Sequence, residues 1–308
     1  MVRVRAVTVG VVAFLAAAAV AGTAFAAPPG FAFLEVPAGA RAAAMGGAYV
    51  TLADGVDGAF WNPAGLALVQ GTQVSGSHME SFQGLKHDQF AVGGQLFGGG
   101  LAGSVRAMYS QPIDERDAIG NLIGTFGTDD LEFQLGYGRR LGARAQLGFA
   151  GQVLHERIAN ESATTWSGSA GATWSPERWN NVRLGLCAQH LGPAAHYTID
   201  GQQGQPVALP AALQAGGSWT RALPRGLGLT AALDARATQG RQTVVALGTE
   251  LAVNGMAALR LGFREGDDAS NFSAGLGWRR GTFRVDYGFV PALLDLGDTH
   301  RFSFGAQF

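Results

Sequence analysis

From about residue 72 to the C-terminus, apolar residues alternate with small or polar ones in runs of roughly 9–12 residues. In the last run, Phe302, Phe304, Ala306 and Phe308 share one face, and Arg301, Ser303, Gly305 and Gln307 share the other. Val182, Leu184, Leu186 and Ala188 alternate in the same way with Arg183, Gly185, Cys187 and Gln189. A period of two places successive side chains on opposite faces of a strand. A soluble sandwich also alternates, so length decides. These runs suit a tilted membrane strand and exceed the usual soluble strand of about 5–6 residues.

The connections alternate in length as well. With the first strand running outward, the outer connections fall near 82–86, 111–129, 157–164, 191–207, 237–241, 264–271 and 290–299. The inner ones fall near 97–100, 140–143, 175–180, 221–226, 253–255 and 279–282. The two longest are outer and every inner one is short, which is the asymmetry of outer-membrane barrels. The expected fold is all-β: a transmembrane antiparallel β-barrel of about 14 strands over residues 71–308, with an N-terminal plug or cap. Lipid offers the backbone no hydrogen-bond partner, so a spanning sheet must close on itself. Its apolar face then meets outer-membrane lipid. Tyr109, Tyr137, Trp166, Trp174, Trp219, Trp278 and Tyr287, near strand ends, fit interfacial girdles.

Composition agrees. Only 15% of residues are charged, against about 25% in soluble domains. Glycine numbers 47, and it suits tight turns and crowded interiors. A net charge of −1 gives no basic field for nucleic acid. A lone cysteine, Cys187, excludes an internal disulfide and a multi-cysteine metal site, and no cofactor or metal is expected.

Arg3 and Arg5, an apolar run from Ala6 to Ala21, and Ala24-Phe25-Ala26 read as a signal peptide over residues 1–26. Residues 27–70 lack the period of two. They carry Gly39-Ala40-Arg41-Ala42, then Met45-Gly46-Gly47-Ala48, then Ala53-Asp54 and Asn62-Pro63-Ala64-Gly65-Leu66. Asp54 or Asp57 suits a helix cap and Asn62-Pro63 a turn. This segment is expected to fold inside the lumen as a plug or to cap the periplasmic mouth.

The set Gly39, Arg41, Met45, Gly46, Gly47, Asp54, Asn62, Pro63 and Gly65 resembles the N-terminal signature of the PorV/PorQ family, within the wider FadL-like group. The resemblance implies fourteen strands and an N-terminal segment in or near the lumen. The family often has a second acid after the Ala-Asp pair, where Gly55 stands here. The C-terminal Phe308 resembles the signal read by the barrel-assembly machinery.

The inward parity carries Arg106, Glu132, Arg183, Asp234, Arg236, Glu250, Arg260, Arg284 and Asp286. A self-compensating network is one expectation, since buried charges need partners. A polar route, or ion pairs that hold the N-terminal segment, are the others. Gly136–Gly142 and Gly275–Gly281 miss the dinucleotide spacing and end strands instead of opening helices. His196 and His300 lie near outer loops, but no nucleophile–base pair can be named, so a non-enzymatic protein is expected. Outer segments 111–129 and 291–296 mix apolar and acidic residues and suit a hydrophobic ligand or a protein partner, or equally fold over and close the barrel mouth. The resemblance implies an accessory of type IX secretion that receives secreted proteins bearing a C-terminal signal domain. The alternative it carries is a FadL-like passive transporter of hydrophobic compounds such as long-chain fatty acids.

Overall fold

The computed structural model describes residues 29–81, 84–199, 201–267, 269–293 and 297–308. The signal-peptide expectation, Asp268 and 294–296 of the last outer loop lie outside them. Fourteen antiparallel strands close into a barrel. The first half is β1 (Thr72–Glu80), β2 (Lys86–Leu96), β3 (Gly99–Tyr109), β6 (Thr128–Leu141), β7 (Ala145–Ile158), β8 (Glu161–Trp174) and β9 (Val182–Leu191). The second half is β12 (Ala212–Leu223), β13 (Leu227–Thr238), β14 (Val244–Val253), β15 (Ala257–Glu265), β16 (Phe272–Arg280), β17 (Phe283–Val290) and β18 (Thr299–Gln307). Two further hairpins stand on the outer side. They are β4 (Ile113–Arg116) with β5 (Leu122–Phe126), and β10 (Ala195–Ile199) with β11 (Gln202–Val207).

The ring closes where β1 meets β18, with Gly76 opposite Phe304. The Phe304 ring lies over Gly76 and covers backbone that a side chain would otherwise shield. The backbone N–H groups of Phe308 and Thr72 each donate to the other residue's carbonyl, at 2.8 and 3.0 Å. The ladder is irregular in one wall region. The β8–β9 register shifts between Gly168 and Ala170, and His190 adopts a left-handed φ of 56°.

Leucine, phenylalanine and tryptophan side chains stand exposed on the outward face, including Phe133, Phe149, Trp166, Leu276, Phe302 and Phe304. Such an apolar belt is what lipid requires. Glutamines, serines and charges turn inward and are buried. One loop differs from expectation. The connection placed at 157–164 is only the turn Ala159–Asn160, with Ala159 at φ 53°. Polar residues such as Glu161 and Ser162 extend the ladder there (Arg157 faces Ser162) because an outer hairpin can stand in water and needs no apolar face. At the tip of the β4–β5 hairpin, the Asp117 carboxylate accepts the backbone N–H of Asn121 at 2.8 Å and of Ile119 at 3.0 Å. These bonds, the Asn121 one foremost, hold its pKa below the usual range.

The orientation is checked by labelling. Cys187, the native thiol, is buried. A Gly120→Cys variant on the exposed hairpin tip is expected to react with an impermeant maleimide on whole cells. Asn254→Cys, in the β14–β15 turn, is expected to react only after permeabilisation. The opposite pattern would invert the topology.

Candidate functional site

Residues 30–69 run inside the barrel and touch every strand of it. The chain enters on the outer side, where Gly30 N–H donates to the Ala208 carbonyl at 3.1 Å and Phe31 N–H to Glu156 Oε2 at 2.6 Å. Phe31, Phe33 and Leu34 pack with Leu154, Ala163, Ala195 and Leu209. Helix α1 (Ala40–Ala44) is nearly all alanine, and small side chains let it lie close to β16, β17 and β18. Ala40 N–H donates to Ser303 Oγ at 2.7 Å, and Gly46 N–H to Ser273 Oγ at 3.1 Å. Gly46 (φ 68°) and Gly47 (φ 86°) end the helix, and a Cβ on Gly46 would press on the Phe263 backbone. The sequence signature therefore has a local cause here: these are the points where the segment turns against the wall.

The second half of the segment is held by single inward side chains. Asp234 on β13 accepts the N–H groups of Tyr49 and Val50 at 2.7 and 2.8 Å. Gln134 donates to the Ala59 carbonyl at 2.5 Å and Gln189 to the Trp61 carbonyl at 3.0 Å. Asn62 caps the 3-10 turn Pro63–Leu68 by accepting Ala64 N–H at 3.1 Å, with Pro63 at the first position. Its amide also donates to the Val50 carbonyl at 3.0 Å. Gly65 sits against Gly58 and the Ala53 carbonyl, leaving no room for a Cβ. Asp54 and Asp57 stand at N-cap positions, of a 3-10 turn and of α2 (Gly58–Trp61), but neither side chain bonds the helix end. They bind the wall instead.

Those wall contacts form one chain of charges. Arg41 grips Glu250 on β14 with two bonds of 2.8 and 2.9 Å. Glu250 also takes Arg260 on β15, at 2.5 Å. Arg260 reaches Asp286 on β17 at 2.8 Å. Asp286 takes Arg284 at 3.0 Å, and Arg284 ends on Asp57 at 2.6 Å. Three cations thus alternate with three anions, and both ends belong to the N-terminal segment. A Cβ on Gly277 of β16 would strike Arg260 and Asp286, so that glycine lets the bridge cross the strand between them. Separately, Arg183 pairs with Asp54 at 2.6 Å and Arg106 with Glu132 at 3.1 Å. The structure brings Arg41, Glu250, Arg260, Arg284 and Asp286 together. Asp234, Arg236, Arg106, Glu132 and Arg183 lie elsewhere around the lumen. Gln134 and Arg264 were not singled out in the sequence, Gln189 and Arg301 were placed only by strand parity, and Asp57 was read only as a helix cap. Their inward parity was the available signal, but parity alone names no partner.

Above the segment lies a cavity of about 520 Å³, within the size range of small-molecule sites. Leu34, Val36, Pro37, Phe60 and Trp61 of the segment line it. Met79, Met108 and Val244 add apolar wall, and Gln242, Gly266, Ala269, Pro291, Ala292 and Gly297 of the outer connections edge it. Five arginines face it as well. Arg106, Arg264 and Arg241 are paired with Glu132, Asp267 and Glu35. Arg236 meets only amide and hydroxyl oxygens, chiefly Gln189 Oε1 at 2.6 Å, and Arg301 donates to the Pro37 carbonyl. Among the described residues neither has a carboxylate within 4 Å. His190, at the wall irregularity, also lines the cavity.

No family model matches the chain. A UPF0164 protein of Treponema pallidum is 26% identical over 178 residues, which covers 51% of this chain and only 42% of that relative. Among solved structures, the toluene transporter TodX of Pseudomonas putida superimposes with a TM-score of 0.63 at 13% identity, covering 93% of this chain and 100% of that one. The toluene transporter TbuX of Ralstonia pickettii gives 0.62 at 14%, covering 88% and 98%. A FadL homologue of Pseudomonas aeruginosa gives 0.51 at 12%, covering 88% and 98%. At these identities the likeness is one of fold. The chain is a fourteen-stranded outer-membrane β-barrel of the fold seen in these three structures.

Proposed function

We propose that the protein is a passive transporter of hydrophobic small compounds, with the cavity above the N-terminal segment as its binding site. The observation that carries this reading is that cavity: about 520 Å³, floored by Phe60 and Trp61 and reached from the outer loops. Aromatic and aliphatic lining favours an apolar body, and a few polar groups fix its orientation. Arg236 and Arg301, which face the cavity without a carboxylate, favour a ligand that carries an acidic head, as a fatty acid does. The fold likeness to toluene transporters supports the same class. The secretion-accessory expectation rests on the motif Gly39–Leu66 alone, and the fold likenesses add nothing to it.

The test uses purified protein and a fluorescent fatty-acid probe. Saturable binding is expected, with displacement by oleate and by toluene. An Arg236→Gln variant is expected to weaken oleate about tenfold, the loss of one charge-assisted bond, and to leave toluene unchanged. Absence of saturable binding for both ligands would overturn the proposal.

A further inference from the structure

The periplasmic rim carries an arginine pattern that the transport reading does not use. On three strands an outward aromatic is followed two residues later by an outward arginine at the inner end. The pairs are Tyr137 and Arg139 on β6, Trp219 and Arg221 on β12, and Trp278 and Arg280 on β16. Two residues along a strand span roughly 7 Å. Aromatic girdles sit at headgroup depth, so each arginine reaches the plane of the lipid phosphates just beyond.

The neighbouring turns strengthen the field. Arg140 and Arg279 adjoin the first and third pairs, and Arg178 and Arg225 are exposed on two of the turns. Glu177 is the acid on these described inner turns, and Arg144 already holds it at 2.8 Å. Arg139, Arg221 and Arg280 meet no carboxylate within 4 Å among the described residues. The outer face differs: there Arg157 is paired with Asp129, and Arg116 with Asp114.

We infer that this rim binds anionic phospholipid headgroups of the periplasmic leaflet, with each aromatic–arginine pair clasping one lipid. The arginine fork takes two phosphate oxygens, and the ring beside it packs on the glycerol and upper acyl region. Unpaired arginines on the lipid side of the wall match phosphate in charge and in depth, which a soluble acidic protein below the rim would not require.

Three of the tryptophans, Trp174, Trp219 and Trp278, stand at this level, so their fluorescence reports the bound lipid. The protein is reconstituted in vesicles containing dibrominated phosphatidylglycerol or dibrominated phosphatidylcholine, and quenching gives the relative affinity. Phosphatidylglycerol is expected to be favoured about fivefold, the effect of one arginine near an anionic surface. The preference is expected to fall in 0.5 M salt, an added-salt level of roughly a 4 Å screening length, and to vanish in an R139Q/R221Q/R280Q variant. These side chains are exposed, so the variant folds, which heat-shifted mobility on gels confirms. Equal quenching by both lipids, or an unchanged preference in the variant, would overturn the inference. So would retention of an acidic periplasmic protein with no lipid preference.

Discussion

Glu250→Ala is expected to destabilise the protein by about 3–5 kcal/mol, the cost of removing one member of a buried ion cluster. Among the described residues Glu250 is the only carboxylate shared by Arg41 of the segment and Arg260 of the wall, and its side chain is 11% exposed. Its loss leaves Arg41 without a carboxylate and Arg260 with Asp286 alone. Three bonds of 2.5–2.9 Å disappear together, while the two guanidinium groups stay where they are. Arg41→Ala should cost less, because Glu250 keeps Arg260 and the cluster loses an end instead of its middle. A double-mutant cycle separates the two effects, since residues in one network do not add. Urea unfolding in lipid vesicles, followed by tryptophan fluorescence, measures all three variants. A Glu250→Ala midpoint equal to that of Arg41→Ala would mean that the cluster does not hold the wall and the segment as one unit.

The barrel was legible in the sequence because lipid imposes a simple rule on each strand. Phe302, Phe304 and their partners alternate since one face must be apolar, and the rule needs no knowledge of neighbours. The alternation starts where β1 starts, at Thr72, for the same reason, and residues before it lack that period. What the sequence did not show is which inward residue holds which part of that segment. Asp234 binds Tyr49 across 185 positions, and Arg284 binds Asp57 across 227. Such pairs are fixed by the path of the segment through the lumen, and a chain of local preferences does not encode that path visibly. Asp57 shows the point. A capping role was reasonable from its place before Gly58-Ala59-Phe60, yet the wall offers an arginine, and a charged partner outcompetes an exposed helix end. The cavity was equally hidden. It is the volume left between segment and loops, and no motif marks it.

Gly148→Val should unseat the segment and open a water-filled path. Gly148 lies on the inward face of β7, and a Cβ there would overlap the carbonyl of Pro63 and the nitrogen of Ala64. Both are backbone atoms in the turn that Asn62 caps, so no side chain can swing aside. Overpacking of this kind costs typically up to about 3 kcal/mol, which multiplies the ratio of displaced to seated segment roughly a hundredfold. The barrel itself loses nothing, since the ladder on both sides of Gly148 uses only backbone groups. Conductance in planar bilayers should therefore rise, and cells should become sensitive to a large antibiotic such as vancomycin. Gly151→Val is the matched control. It lies three residues away on the lipid-facing side, where an added Cβ meets nothing within 4 Å. Valine there should leave conductance at the wild-type level. If both variants conduct alike, the opening comes from a weakened strand, and the segment does not close the lumen. If neither conducts, the segment yields at Pro63 without leaving its seat, and the contacts at Arg41, Tyr49 and Asp57 suffice to hold it.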